Sequence, residues 1–439
     1  MANIKENVIR AKDAATVLSA VSTSVKDKAL EAMADALDNF RKEVISANAE
    51  DMIAAERMRA AGELTDPMVK RLRVNDEKID GMMDGIRDVR KLKDPIGETM
   101  SAMELDDGLT LYQVRCPIGL IGVIFESRPD VVPQIMALCL KSGNAVAFKG
   151  GKEAAGTNRA LFDILSKAAY AAGIPEGSFC LMETREDVSA ILGMDGLIDL
   201  LIPRGSNEFV RYIQENTKIP VLGHSAGICH VYVDADADID VAVNVTLDSK
   251  IQYPAVCNAV ETLLVNVRIA DEFIPRMTDI FIRNGVEVRA DASAMKLAGT
   301  HVKEAKDSDW DEEYNDLVIS MRTVDSLDEA VDFINKHGSK HTDAIITRNK
   351  DNALRFANFV DSSSVMVNAS TRFSDGYRYG KGAEVGISTN KIHSRGPVGM
   401  EGLTIYKYVL TGEGHVVKDY AGKDAKRYTH RTLDKEFKL

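Results

Sequence analysis

Charged and apolar residues mix at three- and four-residue spacing through residues 1–100, a period that predicts helices throughout. The period shortens at Asp107-Gly108, a strong turn signal between the strand-like segments SAMEL (101–105) and LTLYQV (109–114). From residue 120 onward, short β-rich apolar runs are separated by helical segments. Strands are predicted at 120–125, 145–148, 177–182, 198–203, 220–222 and 229–233, and helices at 131–140 and 157–172. The second helix is closed by Gly173 and stopped by Pro175. Such alternation predicts a parallel sheet covered on both faces. A second unit of the same kind follows, with helices near 241–250, from 271 and over 327–337. Its strands are expected at 262–267, 286–289, 316–324, 344–347 and 364–367. Residues 370–395 are Gly-rich and charged with little periodicity, LTIYKYVL (403–410) reads as a strand, and residues 416–439 are polar and lysine-rich.

The bulk numbers narrow the class. The chain has 439 residues, room for two or three domain-sized units, and its 45% hydrophobic and 28% charged content is that of an ordinary soluble globular protein. A net charge of −12 argues against a nucleic-acid surface but leaves room for a local basic pocket. No apolar run approaches a membrane span, and the N-terminus lacks a signal-peptide core. Five cysteines without framework spacing fit a reducing, cytoplasmic setting. Metal chemistry is not expected. The run DADADID (234–240) opens like a calcium loop but has Ile239 at its sixth position and Val245 at its twelfth, so it reads as helix capping. His337 and His341 are four apart, with Gly338 between them and no third ligand.

Candidate chemistry starts from the thiols. Cys139, Cys180 and Cys229 sit in apolar runs, and Cys116 is pinned before Pro117. Cys257 differs: it lies among small and polar residues in SKIQYPAVCNAVET, the surroundings a reactive thiolate needs. The alternative for it is a small, half-buried residue at a helix start. Two βα turns suit an anionic ligand at strand carboxyl ends: Lys149-Gly150-Gly151-Lys152 and Pro203-Arg204-Gly205-Ser206. Neither is a GxGxxG or a P-loop, and ordinary surface turns remain the alternative.

Longer motifs add a resemblance. IGLIGVIFESRPDVVPQIMALCLKSGNAVAFKGGKEA, IPRGSNEFVRYI, GHSAGICHVYVDADADID, Cys257 in its context and EEYNDLVISMRTVDSLDEAVDFIN are similar, in order and spacing, to the aldehyde dehydrogenase superfamily. NASTRFSDGYRYGKGAEVGISTNKIHSRGPVGMEGLT resembles the C-terminal signature of its gamma-glutamyl phosphate reductase branch. The resemblance implies an α/β, aldehyde dehydrogenase-like fold of two doubly wound domains plus a small β oligomerisation extension. Residues 1–103 and 122–236 would form an NADPH-binding domain and 237–368 the catalytic domain. Residues 104–121 and 396–415 would be oligomerisation strands, 369–395 a substrate and interdomain segment, and 416–439 a tail. The implied activity is reduction of L-glutamate 5-phosphate by NADPH to L-glutamate 5-semialdehyde and phosphate, the second step of proline biosynthesis, in a homo-oligomer. Association with the kinase that makes this substrate is left open.

The resemblance also distributes roles. Cys257 is the expected nucleophile, with Asn258 and Arg128 as oxyanion helpers; Arg128 stands where the superfamily has an asparagine and could instead pair with phosphate or carboxylate. His224 replaces the glutamate that activates hydrolytic water. Lys149, Gly150, Gly151, Lys152, Arg204, Gly205, Ser206 and Glu313 are the expected cofactor residues. Lys152 takes the place of a ribose-binding glutamate and so favours a 2′-phosphate, and Glu313 matches the glutamate on the nicotinamide ribose. Ser127, Arg372, Lys381, Lys391, His393 and Arg395 are substrate-binding candidates, with a solvated basic loop as the alternative for the last five. Two other readings stand beside this one: a reductase of a different acyl phosphate or thioester, and a nucleotide-binding or oligomer-forming protein without chemistry.

Overall fold

The computed structural model describes residues 4–126, 128–223 and 226–438. Helices α1 (Ile4–Leu18), α2 (Thr23–Asn39), α3 (Arg41–Ala60), α4 (Asp66–Leu72) and α5 (Asp76–Lys91) open the chain. The hairpin β1 (Thr99–Asp106) and β2 (Leu109–Pro117) follows, with Asp106 paired to Leu109 and Gly108 at φ 72°, a conformation glycine adopts without steric cost.

The first α/β unit runs β3 (Leu120–Phe125), α6 (Val131–Lys141), β4 (Ala145–Lys149), α7 (Ala155–Ala171), β5 (Phe179–Leu181), α8 (Arg185–Leu192), β6 (Leu200–Arg204) and α9 (Asn207–Glu215). Its strands form a parallel sheet in the order β5-β4-β3-β6. Alternate residues of β3 and β4 serve opposite faces. Ile121, Val123, Val146 and Phe148 pack with Leu30 and Met33 of α2 and Ile79 of α5, while Leu120, Ile124, Ala145 and Ala147 meet Val8, Ala11 and Ala15 of α1. With both faces covered, these strands read as unbroken apolar runs rather than alternating ones. The segment expected as a strand at 220–222 contributes a single parallel bridge, Leu201 to Val221.

The second unit runs β7 (Cys229–Val233), α10 (Ile239–Ile251), β8 (Val260–Asn266), α11 (Val267–Arg283), β9 (Glu287–Ala290), α12 (Ala292–Ala298), β10 (Lys303–Glu304), β11 (Val318–Val324), α13 (Leu327–His337), β12 (Thr342–Ile346), α14 (Lys350–Phe359) and β13 (Ser364–Val367). The sheet order is β10-β9-β11-β8-β7-β12-β13, parallel throughout. One expectation needs correction here. Strand β7 was placed with the first unit, inside 122–236, but it lies in the middle of the second sheet between β8 and β12. All five of its residues are buried. A run apolar on both faces suits the centre of either sheet, so its composition could not say where the chain crosses over.

Strand β14 (Gly386–Ser388) pairs with β15 (Gly396–Val398) in a separate ribbon, so 396–398 belongs with the Gly-rich segment and not with the extension. The extension itself is an antiparallel sheet, β16-β2-β1-β17, where β16 is Thr404–Thr411 and β17 is Arg431–Leu433. Strand β17 comes from the polar C-terminal residues, where no strand is predicted. Around it Phe437 sets its ring 5.4 Å from that of Tyr112, and Thr429 Oγ1 donates to the Glu104 carbonyl at 2.9 Å. No helix among the described residues is long and apolar enough to cross a membrane.

Candidate active site

Cys257 lies in the loop between the end of α10 at Ile251 and the start of β8 at Val260, at the amino-terminal edge of the seven-stranded sheet. It is not at a helix start: it sits in a tight turn in which Ala259 N donates to Val256 O at 2.9 Å. The residue is half-buried. Three contacts fix its backbone. Asn258, buried, donates from Nδ2 to the Ser374 carbonyl at 2.8 Å. The Cys229 thiol donates to the Cys257 carbonyl at 3.2 Å. Gly227 lies against the turn so closely that a Cβ there would overlap the Cα and carbonyl oxygen of Cys257. Gly227→Ala therefore has to push the cysteine loop aside. Displacing a reacting atom by about 1 Å costs on the order of 100-fold, and a loss of that size in turnover, with nicotinamide-cofactor binding retained, is the expected result of steady-state and titration measurements.

Two buried guanidinium groups are within electrostatic range of the thiol. Arg204 ends β6, and burial pulls its guanidinium below the ordinary arginine value; Arg128 adds to this, while Glu384, Asp130 and Cys257 oppose it. Its Nη1 is buried without a hydrogen-bond partner among the described residues. Arg372 is 8% exposed and donates from Nε to Gln252 Oε1 at 2.9 Å. Burial also pulls Arg372 down, Arg378 contributes, and Cys257 opposes. Arg204 and Arg372, from different sheets' edges, are thus both within electrostatic range of Cys257. Arg128, at the entry to α6 where its carbonyl accepts from Val131 N at 3.1 Å, is in range of Arg204.

The two βα turns lie at the carboxyl edge of the four-stranded sheet. A Cβ on Gly150 would overlap Asn158, and one on Gly151 would overlap Glu153, so the chain itself needs bare backbone there. Burial, with Glu153, pushes the Glu126 carboxyl above its ordinary value, against the Ser206 N–H and the charge of Lys149, which closes β4. Ser206 caps α9, accepting from Phe209 N at 3.4 Å, while its own N–H donates to Glu126. Gly205 is packed between Phe209 and Glu126. Glu313, from the second unit, reaches across to accept from Asn207 Nδ2 at 3.2 Å, beside that turn. Lys152 is largely exposed, its Nζ 3.3 Å from Glu63.

The basic residues of the Gly-rich segment separate into two groups. Arg372 is the one placed near Cys257. Lys391 Nζ pairs with Asp361 at 2.8 Å, Arg395 Nη2 pairs with the same carboxylate at 3.0 Å, and Lys381 lies 3.4 Å from Glu401. His393 Nε2 is 2.9 Å from the Gly402 carbonyl. Ser127 and His224 lie outside the described residues. The segment joins the two units: Ser374 Oγ is 3.0 Å from Ser364 Oγ, and Asn390 Nδ2 donates to the Val221 carbonyl at 2.7 Å. Gly227, Ser374, Glu126 and Glu384 lie inside the motifs that carry the resemblance but are singled out by none of them, and only the folded arrangement brings them to the site.

The arrangement is a half-buried thiol at the amino-terminal edge of the seven-stranded sheet, within electrostatic range of Arg204 at the carboxyl edge of the four-stranded one and of Arg372. The profile of the aldehyde dehydrogenase family matches residues 1–308. A gamma-glutamyl phosphate reductase of Methanosarcina mazei is 62% identical over 443 residues, covering 100% of this chain and 99% of the relative. One from Natronomonas pharaonis is 52% identical over 427 residues, covering 97% of each. The crystal structure of gamma-glutamyl phosphate reductase from Thermotoga maritima superposes with a TM-score of 0.91 at 40% identity, over 94% of this chain and 99% of that one. A glyceraldehyde-3-phosphate dehydrogenase from Methanocaldococcus jannaschii, solved with NADP, shares the fold alone, with a TM-score of 0.66 at 17% identity over 93% of this chain and 94% of that one. The chain is an oxidoreductase of the aldehyde dehydrogenase family and belongs to its gamma-glutamyl phosphate reductases.

Proposed function

We propose that the protein reduces L-glutamate 5-phosphate to L-glutamate 5-semialdehyde and phosphate with NADPH, the second step of proline biosynthesis. The observation that carries this reading is Cys257 within electrostatic range of both Arg204 and Arg372, in a chain that matches reductases of that name over its length. Cys257 Sγ attacks the acyl carbon, the carbon–oxygen bond to phosphate breaks, and a glutamyl thioester forms. Arg128 and Arg204 meet the departing phosphate, because a buried guanidinium such as that of Arg204, whose Nη1 has no partner among the described residues, suits a multiply charged oxyanion. NADPH, when bound, would supply hydride to the thioester carbonyl. Backbone N–H groups of the Cys257 turn stabilise the developing oxyanion, and Asn258, whose amide donates to Ser374, holds that turn in place. Cleavage of the carbon–sulfur bond then releases the aldehyde and restores the thiolate. The sequence offers His224 and not a carboxylate where a hydrolytic base would stand, which leaves hydride as the thioester's partner.

The residues present fit a dinucleotide. The carboxyl ends of parallel strands β4 and β6 run into the turns that carry Lys149 and Arg204, and the N-terminus of α9 lies at the same edge. Glu313 suits ribose hydroxyls beside that turn. Lys152 suits a 2′-phosphate, since an exposed pair with Glu63 is worth little and yields readily to a doubly charged ligand. Strand β16 is an edge strand carrying exposed Ile405, Tyr406, Tyr408 and Leu410, and we assign pairing between copies of this cytoplasmic enzyme to it.

Incubation with glutamate semialdehyde and NADP⁺ tests the reading: NADPH should form only when phosphate is added. Absence of turnover with that substrate overturns it. In the same assay Lys152→Glu is expected to raise the KM for NADP⁺ at least about tenfold with little change in kcat, because it puts repulsion where attraction stood.

A further inference from the structure

Cys229 opens β7, is fully buried, and takes no part in the steps above. It is nevertheless next to the nucleophile. Its Sγ lies 3.2 Å from the Cys257 carbonyl oxygen, and Gly227, two residues earlier, is packed on Cys257 itself. A sulfur so close to that oxygen is within about 6 Å of the Cys257 Cα, from standard backbone dimensions. Closing a disulfide from there needs the Cys257 side chain to rotate toward β7 and its turn to give. The remaining thiols are elsewhere: Cys139 and Cys180 are in the cores of the four-stranded sheet, and Cys116 is on β2 of the extension.

We propose that Cys229 is a resolving thiol, which captures a hydroperoxide-oxidised Cys257 as a Cys229–Cys257 disulfide. The inference rests on Cys257 being the reactive thiolate. That thiolate attacks a peroxide oxygen, the O–O bond breaks, and the sulfur loses two electrons to become a sulfenic acid. The departing alkoxide or hydroxide takes a proton from water. Cys229 sulfur then attacks the Cys257 sulfur, the S–O bond breaks, and the hydroxide leaves with the Cys229 proton as water. His341 Nδ1 lies 3.9 Å from the Cys229 sulfur and 2.8 Å from Thr342 Oγ1. Asp343 and Glu261 also act electrostatically on this thiol, and burial keeps it protonated. Burial also sets the order of events. A dissolved peroxide reaches half-buried Cys257 and not Cys229, so Cys229 meets only oxidation that Cys257 passes on. The consequence is protection: the disulfide is reversible by thiols, whereas a second oxidation of Cys257 is not.

The test treats the full-length enzyme with hydrogen peroxide, blocks free thiols under denaturing conditions, and maps peptides without reduction. The expected product is a cross-linked Cys229–Cys257 peptide, two hydrogens lighter than its parts, with activity lost and then regained on adding dithiothreitol. In Cys229→Ser the same treatment should give sulfinic or sulfonic acid at Cys257 and no recovery. Because that variant could fold poorly, the wild-type map decides by itself. Sulfinic acid at Cys257 with Cys229 still free to alkylate overturns the role of Cys229 and leaves Cys257 as the nucleophile. Both thiols remaining reduced overturns the proposal, and turnover of Cys257→Ala then tells whether the nucleophile assignment falls with it.

Discussion

Cys257→Ala is expected to abolish phosphate-dependent turnover, lowering kcat by about 10⁴-fold or more, while NADPH still binds. The size follows from what the thiol supplies. Without it no thioester forms, and hydride would have to meet an acyl phosphate directly, with no covalent tether to hold the acyl carbon at the junction of the two sheets. Other groups here do not substitute. Cys229 is buried behind the loop with its thiol donating to the Cys257 carbonyl, and Asn258 is committed to Ser374. Alanine removes one sulfur from a half-buried position and touches none of the three contacts that hold the turn, so the fold should persist. Steady-state rates with semialdehyde, phosphate and NADP⁺, beside fluorescence titration of NADPH, give both quantities. Undiminished turnover would sink the mechanism, and loss of NADPH binding along with turnover would point to a collapsed loop instead.

Much of this architecture is legible along the chain because local and global demands agree. The helix at 327–337 and the strand at 364–367 fall where the pattern of apolar residues places them, as Leu327–His337 and Ser364–Val367. The exceptions share a physical cause. Strand β7 is apolar on both faces, and such a run carries no information about which of two covered sheets receives it. Strand β17 is three residues long and largely exposed, so its pairing with β1 depends on tertiary contacts such as Phe437 on Tyr112. Side-chain chemistry shows the same division. Cys257 is marked by its small, polar neighbours. Lys391 and Arg395 look as available as Arg372 in the sequence, and only the fold reveals that both converge on Asp361 while Arg372 turns toward the thiol. Arg204 reads as a phosphate-turn residue, but its position at the end of β6 also puts it within range of Cys257.

Lys250→Met is expected to destabilise the protein by about 3–5 kcal/mol, the usual cost of leaving one member of a buried ion pair alone. Lys250 is next to last in α10 and Glu261 is second in β8, so their contact at 2.6 Å closes the stem of the loop that carries Cys257. Both side chains are fully buried. Lys250 also lies over the Tyr314 ring, 5.9 Å from its centre. Burial dominates both groups, pulling Lys250 below its ordinary value and pushing Glu261 up to about 8 even with its partner in place. Without the ammonium, Glu261 stays folded chiefly by holding a proton. A carboxyl whose folded pKa exceeds the unfolded value, about 4.3, gives stability that is present below that value and lost as pH rises through the folded one. The variant should therefore lose more stability at pH 8 than at pH 5, read as urea midpoints at the two values. Lys250→Met combined with Glu261→Leu should recover most of the loss, since a well-packed apolar pair often matches a buried ion pair. A single variant as stable as the parent, or one that gains stability as pH rises from 5 to 8, would show that the pair does not close the loop.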